Sequence, residues 1–238
     1  MNNPLLFLSY PLPTDGTYEN WFSTVTKWLR AFQDFGMEAA LEYAVERPGR
    51  GAPSPEQPTI EQIDRLLQQA AEAGCGFGSI HIPADPEKPE ESLGDEISTV
   101  DGWADLASYA EFRAARITLA RPEALSQPGP RQVLKSIIEY MNDMDLQVIL
   151  DSTPSSLPWG MEFRDQHAMQ LKHPLGLCLP WDWVNAAEGS PLPTPYIAAV
   201  RFDAPLPLNP GEITRRYRQI ESRFGEFKPI LVVSPQKG

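Results

Sequence analysis

Two carboxylates and one histidine lie at or near the ends of short segments that are otherwise apolar. Asp151 follows the apolar run 146–150, Glu42 lies near the end of 37–44, and His81 lies within 76–84. A carboxylate in such a place suits a metal ligand, a general base or an acceptor for a sugar hydroxyl. A histidine there could bind a metal or act as a base, or it could simply be a hydrogen-bonded side chain in the interior.

Arg201 and Asp203 alternate near the end of another apolar segment, 196–204. In a β-strand, residues two apart point to the same face, so these two side chains either pair with each other or face a ligand together. Trp181, Asp182 and Trp183 place two indoles around a carboxylate at the end of 175–181. Indole faces stack on sugar rings or cations, but they also pack beneath loops.

The elements that must position these residues are eight short β-type segments, most of them followed by a stretch with helical periodicity. Strands that alternate with helices indicate parallel βαβ units, and eight in series predict a (β/α)8 TIM barrel. We expect one domain over residues 1–238, a shortened sixth crossover because 182–195 leaves little room for a full helix, and a missing eighth helix. The acidic segment 84–99 is predicted to be a long loop. The eight segments are 5–10, 37–44, 76–84, 115–122, 146–152, 175–181, 196–204 and 228–235.

A closed barrel would bring the carboxyl ends of all eight strands to one mouth, where the chemistry of such barrels lies. Each residue there could also cap a helix or pair across the barrel, but together they predict a ligand-binding mouth. The residues expected at this mouth are Ser9, Tyr10, Glu42, His81, Arg121, Asp151, Trp181, Asp182, Arg201, Asp203 and Ser234.

The composition of the chain limits the classes of partner that we expect it to bind. The formal net charge is −12 and the sequence pI is about 4.7, which opposes binding to the phosphates of nucleic acid. No apolar run is long enough to cross a membrane, and the amino terminus lacks the features of a signal peptide. The two cysteines, Cys75 and Cys178, lie in apolar surroundings, which fits a cytoplasmic protein with free thiols. A small neutral or cationic ligand, or a metal held by carboxylates, is compatible with this acidic chain.

The strand order and four segments resemble the xylose isomerase-like barrel superfamily, which includes sugar phosphate isomerases and epimerases and endonuclease IV-type enzymes. The segments are 79–84, 146–151, 175–179 and 198–203. The resemblance implies a divalent metal, Mn, Mg or Zn, with His81 and Asp151 among its ligands. The sequence departs from the family pattern at four positions: Asp151 replaces the usual Glu, Pro180 an Asp, Arg201 a His and Ser234 a Glu. The implied metal site is therefore incomplete, and the cofactor stays open.

Three functions follow from these residues. The first is a sugar isomerase or epimerase that removes a proton next to a carbonyl, with Asp151 or Glu42 as base and His81 or a metal polarising the oxygen. Its substrate-binding residues would be Tyr10, Trp181, Asp182, Arg201 and Asp203. The second is a binding or partner protein without catalysis, with an acidic, tryptophan-lined mouth. The third is a glycosidase-like hydrolase with two mouth carboxylates. A missing eighth helix would expose apolar surface on the barrel flank, which predicts a homodimer there.

Overall fold

A computed structural model describes residues 5–13, 18–45, 57–85, 90–186, 192–225 and 228–236. In these residues eight parallel strands close into a barrel, each paired with its neighbour in chain order and the last with the first. This confirms the predicted (β/α)8 TIM barrel. The strands are β1 (Leu5–Ser9), β2 (Glu38–Ala44), β3 (Phe77–Ala84), β4 (Ala114–Leu119), β5 (Gln147–Asp151), β6 (Gly176–Pro180), β7 (Ile197–Pro205) and β8 (Ile230–Gln236).

Seven α-helices surround the strands in the described part of the chain, and none of them is long and apolar enough to cross a membrane. Helix α2 shows how the sequence sets a boundary. Thr59 accepts a hydrogen bond from the Gln62 amide at 3.3 Å, and the Gln62 side chain accepts one from the Thr59 amide at 2.8 Å. This capping box satisfies two amides that the first turn would otherwise leave unbonded. The helices are α1 (Glu19–Asp34), α2 (Ile60–Glu72), α3 (Glu90–Tyr109), α4 (Pro128–Asp143), α5 (Leu157–His167), α6 (Trp181–Ala186) and α7 (Pro210–Glu221).

Helix α3 corrects one prediction. It begins at Glu90, so more than half of the acidic segment 84–99 is helical rather than a long loop. Val100, Trp103 and Ala107, which follow within the same helix, are buried. Packing of this apolar stripe stabilises the helix. The acidic residues before it continue the same helix, since charged residues by themselves do not prevent helix formation.

The interior of the barrel is apolar toward the amino ends of the strands and polar toward their carboxyl ends. Its apolar layer is a separate small core of buried side chains from six strands, while the outward side chains join the large core beneath the helices. Side chains of a strand alternate in direction, so the residue two positions further along each strand also points inward, and on five of these six strands it is charged or carries a hydroxyl group. The buried members of the inner layer are Phe7, Ala114, Ile149, Cys178, Ala199 and Val232.

The shortened sixth crossover is confirmed, since helix α6 has six residues. Strand β8 ends at Gln236, the last residue that the structure describes, so the expected absence of an eighth helix stays a prediction. Helix α1 packs against α7, and the Arg218 guanidinium donates a hydrogen bond to the Phe35 carbonyl. The outward side chains of β8, Leu231 and Val233, have no exposed surface. The apolar flank on which we based the homodimer is thus covered, and the dimer itself stays a prediction.

Candidate functional site

Four charged side chains from four strands meet inside the barrel. Arg116 of β4 binds Glu42 of β2 through Nε–Oε1 at 3.0 Å and Nη2–Oε2 at 2.6 Å. Its Nη1 binds Oδ2 of Asp151 on β5 at 2.7 Å. Arg201 of β7 binds the same oxygen through Nη1 at 2.6 Å. Since β2 and β4 are not neighbours, and neither are β5 and β7, these bonds cross the interior.

Asp151 is the point where the network converges. Its Oδ2 accepts bonds from both arginines and from the Thr118 hydroxyl, which lies 2.5 Å away. Its other oxygen, Oδ1, is buried and has no hydrogen-bond partner among the described residues. An unpaired buried polar atom is costly, so it marks a place where the network is incomplete.

Strand geometry explains how these residues converge. Arg116 and Thr118 are two apart on β4, so both point inward above Ala114 of the apolar layer. On β2 the pairing with β3 shifts by one residue between Leu41 and Glu42, and Glu42 then pairs with Ser79. A bulge of this kind re-aims a side chain at a barrel rim.

Both carboxyl groups are held in the ionised form. Burial by itself would raise the pKa of Asp151, but the charges of Arg116 and Arg201 outweigh it and hold the pKa at about 2. Burial would likewise raise the pKa of Glu42, and Arg116 again outweighs it, so the pKa lies below the ordinary value. Neither group is therefore tuned toward neutral pH, as an efficient general base would be.

His81 joins the network through Thr118, whose Oγ1 lies 2.8 Å from its Nε2. Burial, followed by the charge of Arg116, lowers the pKa of His81 to about 4. At neutral pH the imidazole is uncharged, so it offers one donor and one acceptor nitrogen. His81 and Thr118 are partly exposed, which places them at the upper edge of the network.

Arg201 and Asp203, which alternate on β7, form an ion pair in which Nε and Oδ1 are 3.4 Å apart. The pair is looser than the contact of Arg201 with Asp151 at 2.6 Å. About half of the Asp203 side chain is exposed, compared with 6 % for Asp151. The two residues therefore pair with each other loosely at the rim, and the interpretation that they face a ligand together stays a prediction.

Among the other predicted residues, Ser9 joins this network by accepting a hydrogen bond from Arg116 Nη2 at 3.4 Å, but three aromatic and acidic residues lie away from it. Tyr10 points outward and packs edge-on against Trp28, with ring centres 5.2 Å apart. Trp181 is buried and packs against Phe202 in the outer layer, with ring centres also 5.2 Å apart. Asp182 lies exposed in the first turn of α6. These residues lie one position out of phase with the inward face of their strands or beyond the strand end.

Arg121 likewise lies outside the network and binds Asp85 at 2.8 Å. Arg121 is expected at the mouth because it lies at the end of the fourth apolar segment, but the inward side chains of β4 are those of Arg116 and Thr118, which were not among the predicted residues. The signal was present: a lone arginine in the middle of an apolar strand must find partners in the interior, since an unpaired buried charge is very costly.

A divalent metal does not fit the centre of this barrel. Within the described residues, no group of three or more histidine, cysteine, aspartate and glutamate side chains could hold a metal ion. Glu42 and Oδ2 of Asp151 are bound by guanidinium groups, and a cation beside two arginines would be repelled. His81 and Asp151, the predicted ligands, are both linked to Thr118 instead.

Comparison with known proteins shows the fold. No protein family model matches the chain, and no curated protein matches its sequence. A xylose isomerase domain protein from Planctomyces limnophilus is similar with a TM-score of 0.65 and 12 % identity, covering 99 % of this chain and 90 % of that one. The apo form of 3-keto-D-glucoside 4-epimerase from E. coli is similar with a TM-score of 0.54 and 9 % identity, covering 96 % and 91 %.

A xylose isomerase-like TIM barrel protein from Mycobacterium smegmatis in complex with magnesium has a TM-score of 0.53 and 13 % identity, covering 97 % of this chain and 90 % of that one. The predicted resemblance to xylose isomerase-like barrels is thus confirmed for the fold. Identities this low say nothing about the residues at the mouth.

Proposed function

We propose that this xylose isomerase-like barrel binds a sugar-like small molecule at the carboxyl ends of its strands, without a divalent metal at its centre. The observation that carries the proposal is Arg116, which is buried and bound to both Glu42 and Asp151. A fixed guanidinium between these two carboxylates supplies positive charge where a bound cation could otherwise lie. The charges of two arginines and two carboxylates there balance.

The upper edge of the network supports a hydroxyl-rich ligand. Neutral His81, Thr118 and Arg201 are partly exposed and supply both donors and acceptors. Oδ1 of Asp151, just below them, lacks a partner among the described residues. Sites for small polar molecules have this character, with a few convergent polar groups that fix the orientation of the ligand.

The first experiment measures sugar binding with and without metal. Binding of D-glucose and D-xylose to the full chain is followed by ligand-observed NMR, once in EDTA and once with Mn²⁺. We expect binding in EDTA, and about a tenfold loss in Thr118→Val, because the valine cannot hydrogen-bond. Thr24→Val, on the outer helix α1, is the matched control and should bind as the wild type does.

Arg201→Lys is a second variant in which sugar binding is measured if Thr118→Val folds poorly. Binding that disappears in EDTA and returns with Mn²⁺ would contradict the metal-independent site. Binding that neither variant weakens would place the ligand elsewhere on the protein.

A sugar isomerase or epimerase is the second candidate. It is favoured by Oδ1 of Asp151, a carboxylate oxygen without a partner among the described residues, and by the similar fold of the 3-keto-D-glucoside 4-epimerase. Against it stands the low pKa of Asp151, about 2, which makes this carboxylate a weak base. Incubation with D-fructose in D₂O tests the two candidates, since deuterium incorporation at a carbon next to the carbonyl would favour catalysis over binding alone.

The glycosidase-like alternative gains no support from the described residues. It needs two carboxyl groups that act separately, one of them as an acid. Glu42 and Asp151 are both ionised and share one arginine.

A further inference from the structure

One edge of the Arg201 guanidinium is poorly hydrogen-bonded. Its Nη1 is committed to Asp151 at 2.6 Å, which fixes the orientation of the planar group. Its Nε is buried and makes no hydrogen bond among the described residues. The Nε–Nη2 edge of an arginine is a fork that matches the two oxygens of a carboxylate.

Asp203 lies over this edge without satisfying it. Its Oδ1 is 3.4 Å from Arg201 Nε, close enough for an ion pair but not aligned as a hydrogen bond. Its other neighbour is the Gln236 amide, which also lies 3.4 Å away. The Asp203 side chain is 47 % exposed, so it loses little when it turns toward water.

We propose that the Nε–Nη2 edge of Arg201 is a carboxylate-binding site that Asp203 covers in the ligand-free protein, and that the ligand is therefore a sugar acid rather than a neutral sugar. This inference rests on the proposed function, because it names the ligand class of the same mouth. A ligand carboxylate forms two aligned, charge-assisted bonds where Asp203 makes one poor contact. Its hydroxyl groups remain available for Thr118 and His81.

The charges at the mouth are compatible with the replacement of Asp203 by a ligand carboxylate. The mouth holds Arg116 and Arg201 against Glu42, Asp151 and Asp203. When Asp203 turns into water and a ligand carboxylate takes its place, the balance around Arg201 is unchanged. An additional anion beside a fixed Asp203 would instead be repelled. Asp203 thus sets the affinity for the acid by competing with it.

The experiment compares two sugar acids with their neutral parents. Affinities of D-glucuronate, D-glucose, D-galacturonate and D-galactose are measured by calorimetry for the wild type and for Asp203→Asn, Arg201→Lys and Glu123→Gln. Asp203→Asn removes the competing charge, and Arg201→Lys keeps a cation for Asp151 but lacks the fork. Glu123→Gln is the matched control, because it removes an exposed carboxylate that follows β4 on the same face of the barrel.

We expect Asp203→Asn to bind at least one acid about tenfold more tightly while its neutral parent is unaffected. Arg201→Lys should lose the preference for the acid, and Glu123→Gln should change neither affinity. Equal affinities for acids and neutral parents in the wild type and in Asp203→Asn would overturn the carboxylate site but leave the proposed function standing. If folded variants and wild type bind none of the four sugars, the proposed function falls as well.

Discussion

Arg116 of β4 binds Glu42 of β2, two strands away, with two N–H···O bonds of 3.0 and 2.6 Å, and both side chains are almost completely buried. Both oxygens of the Glu42 carboxylate are used in this way, so the pair forms a rigid polar floor. Removal of either partner from such a buried ion pair destabilises the fold, because the other charge is then left unpaired in a medium of low polarity.

Arg116→Met is expected to lower the free energy of unfolding by about 3–5 kcal/mol, since Glu42 and Asp151 would lose their common cation. Urea denaturation followed by circular dichroism measures this change. Arg113→Met, at an exposed position just before β4, is the control and should cost less than about 0.5 kcal/mol. In the double variant Glu42→Gln/Arg116→Met the losses should not add, and strict additivity would show that the two residues do not depend on each other.

His81 should make stability fall on mild acidification. Its pKa is 6.5 in ordinary surroundings and about 4 in the fold. Between these values the unfolded chain takes up a proton that the folded protein excludes, so stability decreases as pH falls from 6.5 to 4, by up to about 3 kcal/mol. Below pH 4 both states carry this proton. Chemical denaturation at a series of pH values measures the slope.

His81→Gln should remove most of this slope, while His167→Gln, at the end of α5, should keep it. The depressed pKa of Asp151, about 2 compared with 3.8, acts in a lower window: its stabilisation is present above pH 4 and is lost as pH falls toward 2. A wild-type slope that persists in His81→Gln between pH 6.5 and 4 would assign the effect to another group.

Gly176→Ala should destabilise the start of β6. A Cβ at Gly176 would lie 2.3 Å from the Ala198 Cβ on the neighbouring strand, where neither backbone can yield easily. Overpacking of this kind costs about 1–3 kcal/mol. Gly129→Ala, near the start of α4, meets nothing within 4 Å and should be neutral or slightly stabilising. Thermal unfolding of both variants tests the difference, and equal melting temperatures would contradict it.

Tyr217→Phe should cost about 1–2 kcal/mol, because the Tyr217 hydroxyl donates to the Pro229 carbonyl at 2.6 Å and the ring has no exposed surface. The phenylalanine fills the same space but leaves a buried carbonyl without that partner. Tyr109→Phe provides the comparison, since its hydroxyl binds Asp64 on the surface. A smaller loss for Tyr217→Phe than for Tyr109→Phe would argue against this bond as a link between α7 and β8.

Local sequence patterns were sufficient for much of the fold. Each of the eight strands lies within or beside a predicted apolar segment, and the capping box of Thr59 and Gln62 that begins α2 is a local sequence pattern. These features depend on neighbours along the chain, such as alternation, caps and glycine stops, and so they can be recognised without the tertiary structure. The acidic start of α3 was missed because its charges resemble those of a loop.

The sequence by itself determined the barrel and the strand ends at which polar side chains gather, and it singled out Glu42, His81, Asp151 and Arg201, which the structure brings together inside the barrel. Only the tertiary structure decided how they are used. Arg116 lies 74 positions from Glu42 in the chain, and closure of the barrel brings the two into contact. Pairing across the interior depends on strand register and on which side chains share a layer. Those relationships turned an expected metal site into a network of arginines and carboxylates.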